Sequence, residues 1–295
     1  MENLELTQEW DKVFPKSNKV DHQKIIFHNR YGITLAADMY TPKNAAGKLS
    51  AIAVSGPFGA VKEQSSGLYA QTMAEFGFLT IAFDPSFTGE SGGSPRYVAS
   101  PDINTEDFCA AVDFLSVQEN VDPDRIGIIG RSAGGHLSAL AAMNSDLYES
   151  EEWSGYSSKV QACCDMFGPV DFLKLIEIDE HEIATNPNFR WKSMSETHEG
   201  ALMGGDPATL RERSKEFCPP YILTKEMCPM LILHGDCDKL VPCSISEEFY
   251  DKIVEAGMED RADLYILAGA GHGTKEFFQP ETKEIICAFF DKNLK

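Results

Sequence analysis

No apolar run in this 295-residue chain approaches the roughly 20 residues a membrane helix needs, so no membrane-spanning helix is expected. The opening Met1-Glu2-Asn3-Leu4-Glu5 lacks the basic and apolar regions of a signal peptide, and a cytoplasmic location is expected. Basic residues are scarce: 26 Lys and Arg against 46 Asp and Glu give a formal net charge of −20. A field of that sign repels phosphate backbones and anionic lipid, which makes nucleic acid and membrane surfaces poor partners. The eight cysteines, Cys109, Cys163, Cys164, Cys218, Cys228, Cys237, Cys243 and Cys287, form no Cys-x-x-Cys pair and no zinc-spaced cluster with histidine. They read as reduced thiols, Cys237 and Cys243 included, and no metal is expected. Repeats and low-complexity segments are missing too. With 43% hydrophobic and 24% charged residues, the composition excludes disorder, collagen and coiled coil.

What is present alternates between strand and helix. Lys24-Ile25-Ile26-Phe27 and Thr34 to Tyr40 flank Arg30-Tyr31-Gly32 as a hairpin. Apolar strands follow at Ser50 to Ser55, Phe78 to Phe83, Arg125 to Gly130, Val160 to Phe167, Met230 to His234 and Asp263 to Leu267. Helical patterns fill Gly67 to Phe76, Thr105 to Gln118 with Thr105 as its cap, Ala133 to Asn144 and Thr282 to Asn293. Near-continuous apolar strands alternating with helices predict an α/β fold, a mostly parallel sheet covered on both faces. One domain over 1–295 is expected, interrupted at 171–228 by helical fragments too long for a bare loop, which read as a lid.

Gly130-Arg131-Ser132-Ala133-Gly134 lies between a strand and a helix, the context that makes Gly-x-Ser-x-Gly a nucleophile elbow. Ser132 then stands at the positive end of the following helix, where developing negative charge is favoured. A serine hydroxyl is a weak nucleophile and needs a base oriented by an acid. His272, in Ala268-Gly269-Ala270-Gly271-His272-Gly273, combines a strand-end position with flanking glycines. For the acid, Asp236 and Asp238 compete in the loop after Met230 to His234. Oxyanion stabilisation needs two backbone N–H groups. Ala133 supplies one, and the loop Gly56-Pro57-Phe58-Gly59 supplies the other; Pro57 has no N–H, so Phe58 is preferred and Gly59 held in reserve. Glu90-Ser91-Gly92-Gly93-Ser94 reads as a solvated loop, and His22 and His28 as surface residues.

The order Ser132, acid, His272 on this pattern resembles an α/β-hydrolase fold. Beyond the elbow, Gly130 to Leu137, Phe167-Gly168-Pro169-Val170-Asp171-Phe172, Leu202-Met203-Gly204-Gly205 and Leu233 to Pro242 resemble bacterial carbohydrate esterases of the acetylxylan and feruloyl esterase kind. That resemblance places the triad acid four residues before Pro242, at Asp238, and leaves Asp236 to cap its turn. Before the elbow, Gly56 to Gln64 and Phe83 to Gly93 resemble dienelactone-hydrolase-like and X-prolyl-peptidase-like hydrolases. The two halves match different branches, and a chimera joined near Gly130 is inferred.

The resemblance implies a serine carboxylester hydrolase acting through an acyl-enzyme, with a small-molecule ester as its partner and no cofactor. Phe58 beside the oxyanion hole implies short acyl chains, while Phe189 and Trp191 in the lid are candidates to stack on an aromatic or sugar alcohol. A prolyl-type serine peptidase is the alternative, with Glu177, Glu180 or Glu182 anchoring a peptide N-terminus; a folded chimera with little turnover is another.

Overall fold

Strands that are apolar on both faces must be covered on both faces, and the computed structural model, which describes residues 4–144 and 157–295, shows how this is done. The acidic opening Met1-Glu2-Asn3 lies outside the described residues. Eight strands form one sheet: β1 (Val20–His28), β2 (Thr34–Pro42), β3 (Leu49–Ser55), β4 (Leu79–Phe83), β5 (Val121–Arg131), β6 (Ala162–Met166), β7 (Met230–Gly235) and β8 (Ala262–Leu267). Their spatial order is β1-β2-β4-β3-β5-β6-β7-β8. The β1–β2 hairpin joins antiparallel to β4, and every pairing from β4 through β3 to β8 is parallel. This is the α/β-hydrolase fold anticipated from the alternation of elements.

On one face α1 (Ser65–Glu75) and α8 (Pro280–Leu294) bury Tyr69, Met73, Ile286 and Phe290 against β3, β5 and β7. On the other, α2 (Pro101–Ser116), α3 (Ala133–Ala142) and α7 (Ser244–Glu255) contribute Phe108, Val112, Leu115, Leu137, Ile245 and Phe249 to a second core. α2 starts four residues earlier than the sequence pattern suggested. Pro101 occupies its first turn, where a missing N–H costs nothing, and Asp102 follows it there. Thr105 is therefore inside the helix, its hydroxyl donating to the carbonyl of Pro101 at 2.6 Å, and does not cap it.

Between β6 and β7 lie α4 (Phe172–Thr185), α5 (His198–Met203) and α6 (Arg211–Ser214), with short 3₁₀ turns among them. Asp171 caps α4 by accepting from the Lys174 N–H. Strand register determines where the site forms. Ser55 pairs with Gly130, Arg131 with Met166 and Gly235 with Leu267, so the carboxyl ends of the parallel strands finish at one edge of the sheet. Loops leaving that edge converge, which is where open α/β sheets place their ligands. Among the described residues no helix is long and apolar enough to cross a membrane.

Candidate active site

Ser132 follows the last residue of β5 and precedes α3 with φ 53° and ψ −120°. That left-handed backbone costs a non-glycine residue about 1–3 kcal/mol, and the surrounding packing must hold it. Its N–H donates to the Met166 carbonyl at 2.9 Å, and its carbonyl accepts from the His136 N–H at 3.1 Å. The glycines around it are there for space. A Cβ on Gly130 would sit 2.0 Å from the Gly134 carbonyl oxygen, and one on Gly134 would sit 2.6 Å from that of Gly56.

The hydroxyl of Ser132 lies 2.8 Å from Nε2 of His272, and Nδ1 of His272 lies 2.7 Å from Oδ2 of Asp238. Three loops, after β5, β7 and β8, thus bring serine, imidazole and carboxylate into one hydrogen-bonded line. Asp238 is buried, which would raise its pKa. Hydrogen bonds from His234, His272 and the Val241 N–H outweigh burial and hold the carboxyl well below the usual range. Asp236 points elsewhere: its Oδ1 accepts from the Gly269 N–H at 2.7 Å. It braces the loop that carries His272 rather than capping its own turn. The two loops are stitched further by the Cys237 N–H on the Ala270 carbonyl at 2.9 Å. Phe167 packs edge-on against the His272 ring at 4.7 Å.

Ala133 is the first residue of α3, where a helical N–H has no intrahelical partner. Opposite it, Pro57 to Ala60 form a turn closed by the Ala60 N–H on the Pro57 carbonyl at 3.0 Å, with Gly59 at φ 75°. Ala133 and Phe58 line a narrow cleft of about 50 Å³, together with Gly59, Val98, Leu137 and Leu202. The Phe58 side chain is 58% exposed, so nothing in the fold holds its ring in the core. His136 also faces this cleft; its ring meets the Phe217 carbonyl at 2.5 Å, and burial pushes its pKa down to about 4.

Phe189 and Trp191 do not line the cleft; from that segment Leu202 of α5 does. Trp191 instead packs under Arg190, 4.7 Å from the ring, and edge-on against His198. His198 lies within electrostatic reach of His272: burial lowers its pKa first, and electrostatic interaction with Arg190 and His272 lowers it further.

Beneath the Phe58 loop is a charged cluster that the sequence did not announce. Lys62 is fully buried, with Nζ 2.8 Å from Asp84, 2.7 Å from Glu63 and 2.7 Å from Glu90. Lys24 of β1 joins it, 2.7 Å from Glu90 and 2.9 Å from Asp11. The stretch Glu90-Ser91 is therefore no solvated loop. Ser91 is buried, accepting from the Ala36 N–H and donating to the Asp84 carbonyl. His22 is half-buried against Asp38 at 2.8 Å, whereas His28 is exposed. The carboxylates of Asp11, Glu63 and Glu90 approach one another closely enough for a cation, and two lysine ammonium groups fill that role. Among the described residues every cysteine is free.

Comparison with known proteins places this geometry. The structure of the hypothetical protein PA2218 from Pseudomonas aeruginosa is 34% identical, with a TM-score of 0.69 and 100% of each chain covered. A truncated carbohydrate esterase from gut microbiota superimposes with a TM-score of 0.72 at 22% identity, covering 95% of this chain and 98% of that one. In sequence, PA2218 is 69% identical over 139 residues, which are 47% of this chain and 38% of that protein. The uncharacterized protein YcjY of Escherichia coli is 44% identical over 126 residues, 41% of each. These alignments thus span about two fifths of the curated relatives' own length. The BD-FAE family model matches residues 37–253, a span that includes Ser132 and Asp238 and most of the sheet. With its eight-stranded sheet and its strand-end elbow, the chain belongs to the BD-FAE family.

Proposed function

We propose that this protein is a serine carboxylester hydrolase acting through an acyl-enzyme on short-chain acyl esters, of carbohydrate or aromatic alcohols. The observation that carries this reading is the line Ser132–His272–Asp238, with 2.8 and 2.7 Å contacts, at the N-terminus of α3. Ser132 Oγ attacks the ester carbonyl while His272 Nε2 takes its proton; His272 then delivers that proton to the leaving alcohol. Asp238 holds Nδ1–H and stabilises the imidazolium. The N–H groups of Ala133 and Phe58, with Gly59 in reserve, receive the oxyanion. Water enters by the same route in reverse and frees the acid.

A peptidase would use Glu177, Glu180 or Glu182 as an anchor. Arg211 already engages Glu180, and the Asn186 amide donates to Glu182 at 2.8 Å, which favours the ester reading. We also propose a composite ancestry joined near Gly130. Identity to PA2218 falls from 69% over 139 residues to 34% over the full length, as two halves of different origin would give.

A fluorophosphonate probe tests the nucleophile directly. It should label Ser132 and no residue in Ser132→Ala. That variant should lose on the order of 10⁴ in kcat on nitrophenyl acetate while keeping its fold. Retention of more than a tenth of the rate by Ser132→Ala would overturn the assignment.

A further inference from the structure

His272 is not the only histidine bound to Asp238. His234, next to last in β7, is fully buried, with Nε2 3.3 Å from Asp238 Oδ2. The same Nε2 lies 2.9 Å from the carbonyl oxygen of Val241. Both neighbours are acceptors, so Nε2 must carry the hydrogen, with Val241 the nearer partner and Asp238 Oδ2 the longer contact. Nδ1 is occupied by the hydroxyl of Ser246, at 2.7 Å, in the first turn of α7. The other carboxylate oxygen, Oδ1, accepts from the N–H groups of Leu240 and Val241 at 2.8 and 3.0 Å.

Asp238 therefore has donors on both oxygens and no freedom to turn. Two backbone groups hold Oδ1, while His272 and His234 both meet Oδ2, at 2.7 and 3.3 Å. Burial works against the charge on Asp238, and the bond from His234 is the foremost of those that offset it. Ser246 in turn fixes how the His234 ring sits. Asp165, buried on the neighbouring strand β6, is a second acidic group within electrostatic reach of His234.

We infer that His234, braced by Ser246, is a positioning residue: it aims Asp238 Oδ2 at His272 and thereby sets the angle at which the imidazole faces Ser132. This inference rests on the serine-hydrolase reading above. A hydroxyl, two imidazoles and a carboxylate then act in series behind the nucleophile, and misalignment of an angstrom in such an array costs about a hundredfold in rate.

Steady-state kinetics on nitrophenyl acetate test it. His234→Leu removes the donor and should lower kcat about tenfold to a hundredfold with KM within about twofold. In His234→Gln the side-chain amide carries an N–H to the same place and should restore kcat to within about fivefold of wild type. In an Asp238→Asn background, His234→Leu should cost less than about twofold, because a residue that acts through Asp238 has nothing left to position. Equal losses in both backgrounds would mean a packing role and overturn the inference. Should His234→Leu fail to fold, ¹⁵N spectra of the histidine rings in wild type and Ser246→Ala decide it. A proton on His234 Nε2 is expected in wild type, and a proton on Nδ1 alone would overturn it. Failure of the fluorophosphonate probe to label Ser132 would remove the parent reading while leaving that spectrum as it is.

Discussion

Two aspartates two positions apart in one loop have different work because their carboxylates meet different groups of the loop after β8. Asp238 meets His272 Nδ1, and Asp236 meets the backbone of Gly269. Asp238→Asn should therefore cut kcat on nitrophenyl acetate by on the order of 10⁴, since only the residue bonded to the imidazole sets its tautomer. Asp236→Asn should cost less than about tenfold, through a loosened loop. Equal losses would reverse the choice. Asp165 makes a separate prediction about stability. Burial pushes its pKa up to about 7; Oδ1 accepts from the Gly168 N–H, and Oδ2 has no partner. Its folded value lies above its unfolded one, so folding favours the protonated form. The stabilisation is fully present below about pH 4, is lost as pH rises toward about 7, and levels off above that. Asp165→Asn should therefore gain on wild type by on the order of 2 kcal/mol between about pH 5 and pH 8 in urea unfolding. A gap that stays flat with pH would refute this.

The loop after β3 and the turn after β4 are held as one element by Lys62. Its ammonium is kept well above its usual pKa: burial opposes this, but Asp84, Glu63 and Glu90 outweigh it. Replacing Lys62 by Met leaves the buried Asp84 without its cation and Glu63 and Glu90 with Lys24 alone, and breaking a buried pair typically costs about 3–5 kcal/mol. Lys62→Met should lose about that much stability, and kcat should fall more than KM changes because Phe58 sits four residues away in the same loop. A loss under about 1 kcal/mol would show the cluster to be solvated after all. Legibility in the sequence follows the same division. The elbow was readable because Gly130, Ser132 and Gly134 lie within five residues of one another and a Cβ on Gly130 would sit 2.0 Å from the Gly134 carbonyl oxygen. The lysine cluster was not readable, because Lys24, Lys62, Asp84 and Glu90 meet only after β1, β3 and β4 have paired. Thr105 misled for a local reason: Pro101 is the stronger start signal, and the apolar spacing begins only later in the helix.

Across the whole molecule, the cleft beside Ala133 is assembled from distant parts of the chain: Phe58 after β3, Val98 before α2, Leu137 in α3 and Leu202 in α5. Its volume of about 50 Å³ compares with roughly 300–1,000 Å³ for sites that take drug-sized ligands. Within the reading of this cleft as the acyl pocket, acetyl and butyryl esters should differ by only about fourfold per methylene, while octanoyl and longer chains are shut out. kcat/KM measured from acetyl to decanoyl nitrophenyl esters checks this, and a steady rise to decanoyl would refute it. None of Ser132, Asp238 and His272 comes from the segment between β6 and β7; each leaves a strand end of the sheet that this segment merely interrupts. Within the proposed reading, substitutions in α4 to α6 can reshape what the cleft admits, through Leu202, while the strand ends keep Ser132, Asp238 and His272 in place.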